Sequence, residues 1–226
     1  IAFFNDAALE IAPKLNELKE YTQRLGLDYN STKFNKVTHL SSSGYIRLSS
    51  NNVAALLDVA RIGPDYQPGH AHADTLSFEL SLFGQRVLVN GGTSEYGISS
   101  VRHHERSTKA HNTVVVDNQN SSEVWSGFRV ARRAYPFDLQ IKESDQLITI
   151  SCSHDGYTRL NGKPVHRREW QFFDSSLIIK DSIKGSFSSA NAYFHFHPSI
   201  TIVGNQNNVW NLKMSNGKEC TLKVKS

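Results

Sequence analysis

The feature that most constrains this chain is the series of short β-forming segments that fills it after residue 30. These segments are rich in Val, Ile, Thr, Phe and Tyr, and clusters of Gly, Asn, Ser and Asp separate them. Strands at this density without intervening helices are typical of a large antiparallel β-sandwich, so the sequence predicts a mainly β fold of that kind. Strands are predicted at 87–89, 113–116, 147–151, 176–180, 192–196, 200–203 and 221–224, with turns at 117–118, 161–162, 204–205 and 216–217.

The first thirty residues carry a helical pattern instead. Their apolar residues recur at the spacing of one helix face, Pro13 suits the first helical turn, and Gly26 suits the position after the last turn. We therefore predict that residues 1–30 are the helical end of a preceding domain and that residues 31–226 form the β domain. The chain begins at Ile1 without a Met, a basic region or an apolar leader, so we expect a piece of a longer protein. The apolar stripe consists of Ile11, Leu15, Leu18 and Leu25.

Composition and charge exclude several classes of protein. Apolar residues make up 38% of the 226 residues and charged residues 20%, which suits a globular chain and excludes a coiled coil, a collagen-like rod and a disordered tail. No run approaches 18 apolar residues, so no membrane span is expected. The net charge of +4 favours an anionic partner but falls short of a nucleic-acid-binding arm, so we expect no nucleic-acid partner. Cys152 and Cys220 allow a single disulfide.

The segment 69–80 carries the most informative side chains. If it is a strand, His70, His72 and Asp74 share one face, because side chains alternate along a strand. Two His at i and i+2 can supply two metal-binding nitrogens, or one ligand and one acid/base. A pair of hydrogen-bonded edge histidines is the alternative. A cupin barrel also carries His-x-His, but here Glu79 comes too late and Gly84 too early for the cupin spacing.

Two later segments favour a site. The segment 87–97 predicts a strand that runs into a Gly turn followed by Tyr96. The segment 106–114 places His111 just before an apolar strand and after a basic loop. A third His in this position, beside basic side chains, is what a metal or anion site requires. The alternative for the basic loop is a solvated surface turn, and we interpret His103 and His104 as surface residues.

Taken in this order, these motifs resemble the heparinase II/III family of polysaccharide lyases, specifically its C-terminal β-sandwich, or supersandwich, portion. The resemblance covers about residues 45–200, and the opening segment with its helix resembles the end of the family's α/α-toroid domain. The motifs are Gly69-His70-Ala71-His72-Ala73-Asp74, then Asn90-Gly91-Gly92-Thr93 with Tyr96-Gly97, then Arg106-Ser107-Thr108-Lys109-Ala110-His111-Asn112-Thr113, then His166-Arg167-Arg168 and Phe194-His195-Phe196-His197.

The resemblance implies β-elimination of uronic-acid-containing polysaccharide. In that reaction a base removes the proton on C5 of the uronate, the carboxylate charge is neutralised, and the glycosidic oxygen leaves with a proton. By the match, His70 would be an acid/base or a contact to the substrate carboxylate, and Tyr96 a phenolic acid/base. Substrate-binding cations would be Arg102, Arg106, Lys109 and Arg132, joined by Arg129 and Arg133, with Arg167 and Arg168 as second contributors.

The resemblance also implies a zinc ion held by His72, Asn90 and His111. The family has Asp where this chain has Asn90, and an uncharged amide oxygen is a weaker ligand, so we expect weakened zinc binding. The implied partners are an acidic polysaccharide and the preceding α/α-toroid domain of the same protein. The implied location is periplasmic or secreted.

Two alternatives to a lyase part remain at this point. One is a non-catalytic acidic-carbohydrate-binding or structural module, to which Asn90 points. The other is an intact protein that acts on an acidic glycan during assembly of an envelope polysaccharide. Because the family's principal catalytic Tyr lies in the toroid, we expect the isolated chain to be inactive.

Overall fold

The computed structural model describes residues 2–8, 10–11, 13–27 and 35–225, so the predicted boundary at residues 30–31 lies outside the described residues. Besides its helices and strands, the chain contains a 3₁₀ turn at Thr108–Ala110. The strands, in chain order, are β1 (Val37–Leu40), β2 (Tyr45–Ser49), β3 (Val53–Asp58), β4 (Phe78–Leu82), β5 (Gln85–Leu88), β6 (Val114–Val116), β7 (Val124–Trp125), β8 (Arg129–Val130), β9 (Pro136–Glu143), β10 (Ile148–His154), β11 (Val165–Phe172), β12 (Leu177–Lys184), β13 (Ala190–Ala192), β14 (Thr201–Gln206), β15 (Val209–Lys213) and β16 (Glu219–Lys223). The helices are α1 (Leu15–Arg24) and α2 (Ser100–Glu105), the latter between β5 and β6.

Two antiparallel sheets share the main core. The first has the order β1-β2-β3-β4-β5 and the second the order β12-β11-β10-β9. Leu57 and Phe78 of the first sheet and Ile150 and Trp170 of the second are fully buried in one apolar cluster. Burial alternates along β11, where every second side chain faces inward, as expected for a strand with one face on the core. The predicted antiparallel β-sandwich is therefore confirmed.

Three smaller sheets complete the structure. The three-stranded sheet β14-β15-β16 contributes Leu212 to the main core, and β13 pairs with β6. Strands β7 and β8 form a hairpin in which Trp125 pairs with Arg129, and Phe128 lies in the loop between the two strands. This hairpin lies beside the segment 69–80, because the Phe128 ring lies 6.1 Å from the ring of His70.

The segment 69–80 differs from the predicted strand. Only its last residues belong to a strand, since β4 begins at Phe78. All side chains from 71 to 79 are buried, so no exposed face alternates with a buried one. Leu76 has φ of 62°, a left-handed conformation that interrupts an extended path. His70, His72 and Asp74 therefore lie on a loop that is buried from residue 71 onward, with His70 exposed at its start, and they do not share one strand face.

One of the predicted turns, at residues 204–205, differs from the structure. Asp117 and Asn118 both have positive φ, as a tight hairpin-type turn requires. The turn predicted at 204–205 is wrong, because these residues lie inside β14 at a register shift. The chain reverses instead at Asn207 and Asn208, which have φ of 51° and 59°.

The N-terminal segment is attached by its first residues, not by its helix. Phe3 is buried, its backbone N–H donates to Oε1 of Glu79 at 2.8 Å, and the Arg86 guanidinium lies over its ring at 4.6 Å. The predicted helix is observed as α1, with Gly26 in the left-handed conformation after its end. No residue of α1 is buried against the described part of the chain. None of the described helices is long and apolar enough to cross a membrane, and both cysteines are free thiols.

Candidate functional site

The buried loop 70–77 is held in place by arginine side chains that donate to its carbonyl groups. Arg106 Nε donates to the carbonyl of Ala71 at 3.0 Å, and Arg168 Nη1 donates to the carbonyl of Leu76 at 2.9 Å. The backbone N–H of Ala73 donates in turn to the carbonyl of Arg106 at 2.9 Å. These bonds satisfy the polar groups that a buried loop would otherwise leave unpaired.

Asp6 joins the two histidines of this loop. Its Oδ2 lies 2.8 Å from Nδ1 of His70, and its Oδ1 lies 2.8 Å from Nε2 of His72. Arg102 donates to both carboxylate oxygens as a bidentate pair. Burial raises the pKa of Asp6, but hydrogen bonds from His72, Arg102 and His70 outweigh burial and hold the pKa well below its usual range. Asp6 is therefore ionised, and both histidines donate to it.

His72 and His111 each keep one buried nitrogen without a partner. His72 uses Nε2 for Asp6, and its Nδ1 has no hydrogen-bond partner among the described residues. His111 donates from Nδ1 to Oδ1 of Asn90 at 3.0 Å, and its Nε2 likewise has no partner there. The two rings lie 5.2 Å apart. Burial lowers the pKa of both imidazoles, so both are neutral with a free lone pair.

Two neutral imidazoles with free buried lone pairs are suitable ligands for zinc. The N–H group on the other nitrogen of each ring donates to an oxygen acceptor, Asp6 for His72 and Asn90 for His111, which is the usual way a metal-binding His is oriented. Asn90 does not complete the set as expected, because its amide oxygen accepts from His111 and its Nδ2 atom is a donor. Within the described ranges, no group of three or more His, Cys, Asp or Glu side chains is placed to hold a metal ion. The residues present fit zinc through two nitrogen ligands only.

His70 stands at the edge of an aromatic cleft. Its side chain is 63% exposed, and its ring lies 6.0 Å from the ring of Tyr96 and 6.1 Å from that of Phe128. The Arg102 guanidinium lies 5.3 and 5.4 Å from the same two rings. The neighbouring cleft, here called the His70 cleft, has a volume of about 500 Å³ and is lined by Tyr66, Gln67, Pro68, Gly69, Gly97, Ile98, Ser126, Gly127, Phe128 and Arg129. His70 and Tyr96 do not line it themselves but border it through their ring contacts with Phe128.

The expected rim of exposed cations is only partly present. Arg102 and Arg106 are fully buried, the first paired with Asp6 and the second donating to the carbonyls of Ala71, Ser126 and Arg129. Arg168 is also fully buried. Arg102 and Arg106 donate to the carbonyls of Gly127, Ser126 and Arg129, which line the cleft, so these two guanidiniums support it from inside and do not lie on the surface as we expected. Burial lowers the pKa of Arg106 to about 10, which still leaves it charged at neutral pH.

The remaining predicted cations are more accessible. Lys109 is exposed on the 3₁₀ turn and is not among the residues that line the His70 cleft. Arg129 lines that cleft. Arg132 is exposed and forms a bidentate pair with Glu123, with its Nε and Nη2 at 2.9 and 2.6 Å from the carboxylate oxygens. Hydrogen bonds from Arg132 lower the pKa of Glu123 to about 2.

The sequence did not reveal two residues of the site. Asp6 lies 64 positions before His70, and only its place in the opening motif Phe3-Phe4-Asn5-Asp6 set it apart. Phe128 gave no signal at all, because a single Phe between Gly127 and Arg129 is unremarkable in a chain with 12 Phe.

Comparison with known proteins places this geometry in context. The family model described as heparinase II/III-like, C-terminal, matches residues 33–224. Heparan sulfate lyase HepC from Pedobacter heparinus is similar in structure, with a TM-score of 0.74, 17% identity, and coverage of 96% of this chain and 35% of that chain. A crystal structure of heparinase III gives a TM-score of 0.74 and 17% identity, with 97% and 36% covered. The chain thus spans about a third of these structures. A search of curated proteins gave no match.

Proposed function

Because the chain belongs to the heparinase II/III-like C-terminal family, we propose that it is the β-sandwich part of a polysaccharide lyase. In this proposal it contributes His70 and Tyr96 to the β-elimination of uronic-acid-containing polysaccharide. The longer protein would supply the preceding α/α-toroid domain and would act in the periplasm or outside the cell.

The hydrogen bond between Asp6 and His70 is the observation that carries this proposal. Since Nδ1 of His70 donates to an ionised carboxylate, a ring that carries a single proton holds it on Nδ1, and Nε2 is then the proton acceptor. The exposed ring presents this nitrogen beside the cleft. An imidazole in that state can accept a proton from the sugar or receive a hydrogen bond during substrate binding.

Tyr96 is suitable as the partner that handles the second proton. Its side chain is 59% exposed and its ring is in edge contact with His70. A phenol can protonate the leaving glycosidic oxygen while the imidazole holds the proton taken from C5. The Arg102 guanidinium, paired with Asp6, packs against the Tyr96 and Phe128 rings and holds them beside His70.

A zinc ion in this site would be held by His72 Nδ1 and His111 Nε2, with Asn90 orienting His111. When bound, zinc would supply a Lewis acid and would tie together the loops that carry the two histidines. His72 and Asp6 would also keep His70 aligned, since the same carboxylate receives hydrogen bonds from both rings.

A non-catalytic acidic-carbohydrate-binding module is the second candidate. The observation that favours it is Asn90, whose neutral amide leaves the two-histidine site without an anionic ligand. Such a module would use the same aromatic cleft for binding, and it would lack the chemistry.

Lyase action leaves a C4–C5 double bond that absorbs in the near ultraviolet, and this absorbance tests the proposal. The isolated chain should bind heparan sulfate or alginate weakly and produce no absorbance. In the longer protein, His70→Ala should lower kcat by about a hundredfold or more, the usual contribution of a general acid or base. His39→Ala, at an exposed His on β1, is the matched control. Product formed by the isolated chain would contradict the split site, and unchanged kcat in His70→Ala would favour the binding module.

A further inference from the structure

We propose that a second cleft, the arginine cleft, binds the anionic groups of a glycan that extends beyond the His70 cleft. The arginine cleft has a volume of about 490 Å³, and its charged and aromatic lining consists of Asp65, Arg132, Arg133, Tyr135, Asp155 and Arg159. This inference rests on the proposed function, because it assumes that the ligand of the chain is an acidic polysaccharide.

Arg159 gives the arginine cleft a fixed positive charge. Its side chain is only 10% exposed, and its guanidinium donates to the backbone carbonyls of Asn120, Ser121 and Gly156. These acceptors are neutral, and the nearest carboxylate contact, from Arg159 Nε to Oε1 of Glu123, is 3.9 Å. The carbonyl groups thus orient the guanidinium without cancelling its charge.

The other two arginines are paired with carboxylates that a ligand can replace. Arg132 pairs with Glu123, and Arg133 Nη1 lies 2.8 Å from Oδ1 of Asp65. The Asp65 side chain is 66% exposed and that of Glu123 32%. Ion pairs that are open to water contribute little free energy, so sulfate or carboxylate groups of a glycan can take the place of these side chains at small cost.

An aromatic ring at the arginine cleft suits a sugar. Tyr135 is 40% exposed, and the Arg61 guanidinium lies 5.7 Å from the centre of its ring. A half-exposed tyrosine offers an apolar face to a pyranose ring, while the neighbouring guanidiniums receive the charged substituents.

The two clefts lie on either side of one wall. Asp65 lines the arginine cleft and Tyr66 the His70 cleft, while Ala131 lines the first and Arg129 the second. The wall is therefore made of the loop around residues 65 and 66 and of strand β8 with the residue after it. A glycan that crosses this wall contacts both clefts at once, which increases its affinity over that of a ligand confined to one cleft.

The test compares a short and a long glycan on three variants of the chain. Arg132→Ala/Arg133→Ala removes two cations of the arginine cleft, and Phe128→Ala removes an aromatic ring of the His70 cleft. Lys142→Ala/Lys223→Ala removes the same number of charges at exposed positions on β9 and β16 that line neither cleft. Titration calorimetry measures Kd for a heparan sulfate disaccharide and dodecasaccharide, and for an alginate dodecasaccharide that carries no sulfate. Circular dichroism checks that each variant is folded.

We expect Arg132→Ala/Arg133→Ala to weaken dodecasaccharide binding about tenfold, with little effect on the disaccharide, while the Lys variant stays close to the unmodified chain. Phe128→Ala should weaken binding of both lengths. Equal loss for alginate and heparan sulfate would assign the cleft to carboxylate groups, and loss for heparan sulfate alone would assign it to sulfate groups. If the Arg and Lys variants bind the dodecasaccharide equally while Phe128→Ala weakens it, the arginine cleft is not a subsite and the proposed function stands. Absence of all glycan binding overturns both.

Discussion

Asp6 shows how much of the site depends on one carboxylate. It accepts hydrogen bonds from His70 and His72 and forms an ion pair with Arg102. A single side chain thus sets the orientation of the proposed acid/base and of one proposed metal ligand. Asn90 performs the same task for His111 through a neutral amide. The two imidazoles are therefore oriented by groups of different charge, and a carboxylate acceptor makes the ring a better metal ligand than an amide does.

Asn90→Asp should raise zinc occupancy of the purified chain. The new carboxylate either strengthens His111 as a ligand or ligates the ion itself, and both effects increase affinity. Elemental analysis after dialysis against zinc should show partial or no zinc in the unmodified chain and more in the variant. The melting temperature should rise with zinc in the variant, because a ligand of the folded state stabilises it. Asn118→Asp in the 117–118 turn is the matched control. Equal zinc contents in all three chains would remove Asn90 and its neighbours from consideration as a metal site.

The sequence could predict the histidines of this site but not the carboxylate that orients two of them. His70, His72 and His111 belong to short motifs whose spacing is local, and the structure brings His72 and His111 together. Asp6 could not be found this way, because its contacts span more than 60 residues. Arg102 and Arg106 were misplaced on the surface because a basic run is usually solvated, whereas here carbonyl groups and Asp6 satisfy the buried guanidiniums.

At the level of elements, the loop 70–77 and helix α1 each depart from what their pattern suggests. The loop has the alternating pattern of a strand, but all its side chains from residue 71 onward are buried, so alternation of residue types does not identify an exposed strand face there. Helix α1 has the apolar stripe of a packed helix, yet Leu15, Leu18 and Leu25 remain 59%, 45% and 53% exposed. The periodicity of the sequence predicts strands and a helix, but it does not predict which other parts of the chain pack against them.

Changes in α1 should leave stability almost unchanged, whereas removal of the Phe3 ring should lower it. Leu15→Ser/Leu18→Ser should leave the free energy of unfolding within about 0.5 kcal/mol of the original, because neither side chain is buried. Phe3→Ala should lower it by about 3 kcal/mol, since the buried ring packs beneath Arg86. Urea denaturation of the chain measures both. A helix variant that is as destabilised as Phe3→Ala would mean that α1 packs on the sandwich in solution.

Across the whole molecule, a buried polar network connects the second sheet to the site. Arg168 on β11 pairs with Asp181 on β12, and its Nη1 donates to the carbonyls of Leu76 and Asn112. Asp181 also accepts from Nε2 of His166 at 2.7 Å, and His166 Nδ1 lies 3.1 Å from Nε2 of His154. The backbone N–H of Gly156 donates to Nδ1 of His154. This directional chain of hydrogen bonds requires both imidazoles to be neutral.

The network should make the protein sensitive to mild acid. Burial lowers the pKa of His154 and of His166, and hydrogen bonding to Asp181 only partly opposes this for His166. Below pH of about 6.5 the unfolded chain takes up protons at these residues that the folded chain does not, so stability falls as pH falls. Each such His contributes up to about 1.4 kcal/mol per pH unit in this range.

Urea denaturation at pH 7.5 and 5.5 checks this expectation. Between these two pH values, the free energy of unfolding of the His154→Gln variant should fall by about 1 kcal/mol less than that of the unmodified chain, because one such imidazole is removed. The same replacement at His39, which is exposed on β1, is the matched control and should preserve the original loss. Identical losses in all three proteins would show that His154 does not take up its proton on unfolding.

The position of Asp6 has a practical consequence for protein engineering. The family match begins at residue 33, so a domain swap designed on the family boundaries would carry the two sheets with His70, His72 and His111 but would leave Asp6 behind. The main core lies within the matched range, but the transplanted domain would lose the buried Phe3 ring, His70 would lose its acceptor and Arg102 would be buried without its counter-charge. A chimera of this family should therefore keep the segment from Phe3 to Asp6 with the sandwich, and its crossover point belongs before Phe3.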